Sequence, residues 1–166
     1  MAESTDLERI AYQEKTLTLR NFDTDFAWRL GTGLRNLAIE RKLAIVIDVR
    51  RFNHPLFYCA LPNTTPDNAD WVRRKSNTTA RFLRSSYAVG LKLQLEKKTF
   101  SEKYSLPLAD YSIHGGCFPI AVSGAGILGS ATVSGLPQRA DHELVVEAFA
   151  LELGLSYDSL KLPAES

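Results

Sequence analysis

Several things are scarce in these 166 residues. There are two cysteines, Cys59 and Cys117, too few for a disulfide framework, so the chain reads as a protein of a reducing compartment. No apolar run approaches the roughly 20 residues that a membrane helix requires. Net charge is only +1, so no global field draws the chain to nucleic acid or to a membrane surface. The opening MAESTDLERIAYQE is polar and acidic and does not read as a signal or transit peptide. No repeat, low-complexity tract or linker interrupts the chain. What is present is ordinary: 45% hydrophobic and 23% charged residues, enough to bury one core. One domain over residues 1–166 with short flexible ends is expected, cytoplasmic, without membrane or nucleic-acid partners.

Hydrophobic period and turn chemistry divide the chain. Residues 3–13 suit a short helix, and KTLTLR at 15–20 alternates like a strand. Asp23 is a natural N-cap for a helix reaching Lys42. LAIVIDVR at 43–50 is apolar on both faces until Asp48, the mark of a strand covered on both sides. Asn53-His54-Pro55 turns the chain into a second strand at 56–61. One long helix, kinked near Ser85, Ser86 and Gly90, is expected over about 67–98, with 100–113 as loop. Two short strands at 117–122 and 127–134 flank the hairpin signal SGAG. A last helix runs from Pro137 to about 153, and the tail YDSLKLPAES reads as frayed. The sum is α+β: a mostly antiparallel five-stranded sheet with helices packed on its faces.

Chemistry-bearing residues cluster between 114 and 142. HGGCFPI joins His114 to Gly115, Gly116 and Cys117; SGLPQRADH joins Ser134 and Gly135 to His142. A zinc site needs three or four convergent ligands, and only His114 and Cys117 stand close in sequence. A triad needs nucleophile, base and orienter in reach; Asp141 and His142 are adjacent and diverge by about 100° on a helix. The glycines suit positive φ and close backbone approach, and the helix start that follows them attracts anions. Charge is also uneven. Residues 67–103 carry +5, leaving −4 for the rest, and Arg74, Arg81 and Arg84 fall at helical spacing with Asn77. Such a ridge is either a solvated, salt-bridged face or a surface for carboxylate or phosphate.

DNADWVRRKSNTTARFLRSSYAVG, HGGCFPI and GSATVSGLPQRADHELVVEA together resemble the haem-degrading-domain-like (HbpS/GlcG-like) family, over about residues 26–153. The similarity is to a branch of small proteins from fungi, plants and bacteria. The resemblance implies a profilin-like sheet between helices, self-association as a dimer or larger ring, and haem as a candidate cofactor. The combined reading is a homo-oligomeric binding or protein-interaction module rather than an enzyme. Its partners would be its own copies, other proteins, or a small anionic ligand. The ligand would be held by Arg74, Arg81, Arg84, His114, Gly115, Gly116, Ser134, Gly135 and His142. The alternative is a haem- or small-anion-binding protein or enzyme that uses His114, Cys117 or His142.

Overall fold

A computed structural model describes residues 2–164. The elements run α1 (Ala2–Thr16), β1 (Thr18–Leu19), α2 (Thr24–Glu40), β2 (Val46–Arg51), β3 (His54–Ala60), α3 (Pro66–Phe82), α4 (Ser86–Glu96), α5 (Phe100–Tyr104), β4 (Cys117–Val122), β5 (Gly126–Ser134) and α6 (Gln138–Glu152). The architecture is α+β around a five-stranded sheet of order β1-β4-β5-β2-β3. β2–β3, β2–β5 and β4–β5 are antiparallel, while β1 runs parallel to β4, so the sheet is mixed. β1 is only two residues long and pairs Thr18 with Ala121 and Leu19 with Val122.

The expected long central helix is two helices. Leu83 turns left-handed at φ 53°, and its N–H bonds the Thr79 carbonyl, closing α3. Ser85 then caps α4 by accepting from the Ala88 N–H at 3.2 Å. No glycine or proline marks this break, which is why the helical pattern runs through it in the sequence. The expected loop at 100–113 begins with α5, opened by a Thr99–Glu102 capping box. The expected frayed tail is docked as far as it is described: Leu160 and Leu162 are buried, and residues 165–166 lie outside the described part.

Strand alternation sorts the sheet into two faces. One carries Ile47, Val49, Phe118, Ile120, Ala131 and Val133 into the main core with Phe26, Leu30 and Leu34 of α2 and Val145 and Phe149 of α6. The opposite face carries Asp48, Cys117, Ser130, Thr132 and Ser134, all buried. α3 lies over it, and its buried stripe is Val72, Lys75, Ser76 and Thr79, spaced at helical period. α1 packs on α4 through Ile10, Tyr87, Ala88 and Leu91 and meets the tail at Leu162.

Candidate functional site

A pocket of about 240 Å³ opens where α3, the end of β5 and the start of α6 meet. Asn68, Trp71 and Lys75 line it from α3; Ser134, Gly135 and Leu136 line it from the strand end. Gln138 and Asp141 close it from α6, and His114 stands at its rim.

Lys75 and Asp141 form its floor. Lys75 is 3% exposed and Asp141 1%, and the ammonium donates to Asp141 Oδ2 at 2.8 Å and to the Val133 carbonyl at 3.1 Å. The other carboxylate oxygen accepts from the Leu136 N–H at 3.0 Å. Burial pushes the Asp141 carboxyl up, opposed by the Lys75 charge and by the N–H groups of Leu136 and Gly135. The pair ties α3 to α6 past the end of the central strand β5.

Gly115 and Gly116 build the wall behind it. Gly116 has φ 131°, and a Cβ there would stand 2.6 Å from Lys75 Nζ. A side chain would therefore displace the lysine as well as strain the backbone. Gly115 donates its N–H to Gln138 Oε1 at 3.3 Å, joining the wall to the first turn of α6. Gly135, at φ 149°, makes the turn that leaves β5.

The rim is aromatic and cationic. Trp71 and His114 meet edge to face at 5.0 Å, and the Arg74 guanidinium lies over the Trp71 ring at 4.1 Å. The Trp71 indole N–H donates to Asp67 at 3.1 Å. His114 Nδ1 lies 3.3 Å from Ser112 Oγ, which also accepts from the His114 backbone N–H at 3.2 Å. Ser112 is buried, so its hydroxyl proton is best used on Nδ1, which leaves the proton of the imidazole on Nε2. Burial lowers the His114 pKa, and the nearby charges of Lys75 and Arg74 lower it further.

The residues singled out in the sequence thus divide. His114, Ser134 and Gly135 line the pocket, Gly115 and Gly116 stand behind its lining against Gln138 and Lys75, and Arg74 reaches its rim through Trp71. The other three do not. His142 is fully buried between Tyr87 and Phe118, with Nε2 at 2.8 Å from Gln13 Oε1. Burial, helped by the charge of Arg139, drops its pKa to about 3. Arg84 lies beyond the end of α3, so it does not share the helical ridge expected of it; it pairs with Glu14 at 2.5 Å. Arg81 sits over Tyr111 at 5.9 Å beside a separate, open depression, and makes no ion pair among the described residues. Cys117 is buried, and burial pushes its thiol up, away from nucleophilic use. No group of three or more metal-binding side chains occurs among the described residues.

Sequence reasoning missed Lys75 and Asp141. The signal was there for the lysine: Val72, Lys75, Ser76 and Thr79 share one stripe, and a lysine on a buried stripe needs a carboxylate.

A five-stranded mixed sheet with one polar and one apolar buried face, carrying a pocket at a strand end, defines the class of the fold as α+β. The particular family follows from comparison. The family model described as "Haem degrading protein HbpS-like" matches residues 22–150, and the chain belongs to that family. It is 57% identical to a UPF0303 protein of Burkholderia thailandensis over 95% of both chains. Among solved structures it is similar to the Ybr137w protein, at 31% identity and a TM-score of 0.83 over 93% of this chain and 90% of that one. The fold is also shared with the PduOC:Heme complex, at 14% identity and a TM-score of 0.67 over 78% and 93% of the two chains.

Proposed function

We propose that this chain is a homo-oligomeric binding module whose ligand site is the pocket floored by Lys75 and Asp141. The observation that carries the reading is that ion pair. Burying two charges costs several kcal/mol of lost hydration, and a well-packed apolar pair in its place is often as stable or more so. A pair kept in the interior and lining an opening to solvent is better explained by use than by stability. Binding is favoured over covalent chemistry because Cys117 is sealed under α3 and the Ser134 hydroxyl has no base bonded to it among the described residues.

Self-association is supported by the edge strand β3. Tyr58 on it is 51% exposed, Phe52 in the turn before it 42%, and Trp28 of α2, which meets Phe57 of the same strand edge to face, 65%. An uncovered edge rimmed by aromatic side chains is a surface that soluble chains normally cover. Light scattering at micromolar concentration should give at least twice the monomer mass of 18.5 kDa; the monomer mass would sink this part. The unpaired thiols Cys59 and Cys117 suit the cytosol, and no described helix is long and apolar enough to cross a membrane.

Haem is the second reading, because a haem complex shares the fold and His114 has a ring nitrogen with no partner among the described residues. The residues do not fit it well. The pocket, at about 240 Å³, falls below the roughly 300–1,000 Å³ typical of drug-sized ligands, and haem is larger than those. His142 is sealed in the core. Absorbance of the purified protein, and after addition of hemin, separates the two readings. A Soret band lost in His114→Ala would favour haem. A bound small molecule seen by native mass spectrometry, with no Soret band, would favour the pocket.

A further inference from the structure

The side chains lining the pocket are unequally engaged. Backbone N–H groups can only donate, so they fix which end of each amide faces them. The Thr65 N–H takes Asn68 Oδ1 at 2.9 Å, and the Gly115 N–H takes Gln138 Oε1. Both amide oxygens are therefore engaged, and both NH₂ groups have no partner among the described residues. Asp141 has one oxygen on Leu136 and the other on Lys75. Lys75 uses two of its three protons, on Asp141 and Val133. Ser134, 4% exposed, has a hydroxyl with no partner among the described residues, although it lines the pocket. Each carboxylate and carboxamide oxygen thus already accepts a hydrogen bond. The two NH₂ groups, one Lys75 proton and the Ser134 hydroxyl are unengaged among the described residues, so what the pocket offers a ligand is weighted toward donors. α6 begins against the same space behind Pro137, which supplies no side-chain cap to its first N–H groups.

We propose that the pocket takes a small monocarboxylate, held by Asn68, Lys75, Ser134 and Gln138. A carboxylate only accepts hydrogen bonds, so it matches what these groups offer. A single negative charge fits better than two, because the Lys75 charge is already shared with Asp141 and a dianion would crowd that carboxylate. The arginine ridge expected from the sequence takes no direct part: Arg74 binds Asp70 and Trp71, and Arg81 and Arg84 lie elsewhere.

This inference rests on the reading of the pocket as the ligand site, and the test separates the two. Acetate, lactate, pyruvate and benzoate are each compared with the corresponding amide, and with inorganic phosphate, by thermal shift and calorimetry on the full chain. At least one carboxylate should raise the melting temperature while its amide and phosphate do not. Gln138→Glu keeps an oxygen for the Gly115 N–H but replaces a donor with a negative charge; it should weaken that carboxylate about tenfold or more. Ser134→Ala should weaken it less. No response to any of the four carboxylates, or an equal response to amide or phosphate, overturns the monocarboxylate. Native mass spectrometry then decides the site. A neutral or cationic molecule carried by the parent and lost from Gln138→Glu keeps the pocket and discards the carboxylate. No molecule sensitive to Gln138→Glu discards both.

Discussion

Under α2 and α6 the sheet presents Ile47, Val49, Phe118, Ile120, Ala131 and Val133; under α3 the same three strands present Asp48, Cys117, Ser130, Thr132 and Ser134. Both faces are buried, yet they are held by different means. The apolar face is stabilised by area removed from water and by close packing, which tolerates modest exchange of side chains. The polar face depends on pairing. Asp48 binds Arg50 at 2.6 and 2.8 Å, Lys75 binds Asp141, and Thr78 Oγ1 donates to the Ser112 carbonyl at 2.7 Å. Two hydroxyls there, on Thr79 and Thr132, have no conventional hydrogen-bond partner among the described residues and neighbour the Cys117 thiol. A face built this way is specific in geometry and poor at absorbing a lost partner. The candidate site lies on it.

The difference between the faces is broken most sharply by Lys75→Met. It leaves Asp141 buried without its cation and should cost about 3–5 kcal/mol in denaturant unfolding. Adding Asp141→Asn should recover a large part of that. Ile120→Val on the apolar face, by contrast, should cost only about 0.5–1.5 kcal/mol. If Lys75→Met were as mild as Ile120→Val, the polar face would not be held by pairing.

Gly116→Val comes next. Positive φ and the clashes with the Val133 carbonyl and Lys75 Nζ together should cost about 2–3 kcal/mol, a fall of roughly 4–12 °C in melting temperature for a chain of this size. His114→Ala, at an exposed rim, should cost less; equal melting temperatures for the two variants would remove the wall assigned to Gly116.

An effect that appears only on acidification tests the apolar side, where His142 is the polar exception. The imidazole takes its proton near pH 6.5 in the unfolded chain but only near pH 3 in the fold. Above pH 6.5 neither state is charged and the contribution to stability is complete. As pH falls from 6.5 toward 3 the unfolded chain gains the proton first, and stability declines by up to about 1.4 kcal/mol per pH unit. His142→Gln should lose that slope in unfolding measured against pH, and an unchanged slope would mean His142 titrates normally.

The smallest effect is expected from Arg81→Glu. Its side chain lies outside both faces, so fold stability should move by no more than about 0.5 kcal/mol. A larger loss would show that Arg81 supports the packing of Tyr111 more than its exposure suggests.

Much of this was legible in the sequence. The Asp23 cap, the buried strand at 46–51, both hairpins and the last helix all follow from local period and turn chemistry. The kink expected near Ser85 and Ser86 is a full break after Phe82, and its completeness was not legible because Leu83 and Arg84 are good helix formers. β1 falls within the alternating stretch at 15–20, but its parallel pairing with β4 was not legible, since a partner a hundred positions away leaves no local pattern. At the site, the glycines and His114 were visible because their chemistry is unusual in itself. The pairing of Lys75 with Asp141 was not legible: in the sequence Asp141 stands beside His142, and although the stripe of Val72, Lys75, Ser76 and Thr79 points the lysine inward, its partner is set by where α3 and α6 meet. The arginines misled for the converse reason: a linear charge excess says nothing of which carboxylates will fold against it.

The chain has two tryptophans, and they stand in opposite surroundings. Trp28 is largely in water, whereas Trp71 is wedged between a guanidinium and an imidazole at the mouth of the pocket. Trp71 lines the pocket, so its emission should respond to whatever enters beside it. Replacing Trp28 with phenylalanine would leave a single tryptophan, selectively excitable, already seated at the entrance and needing no attached dye.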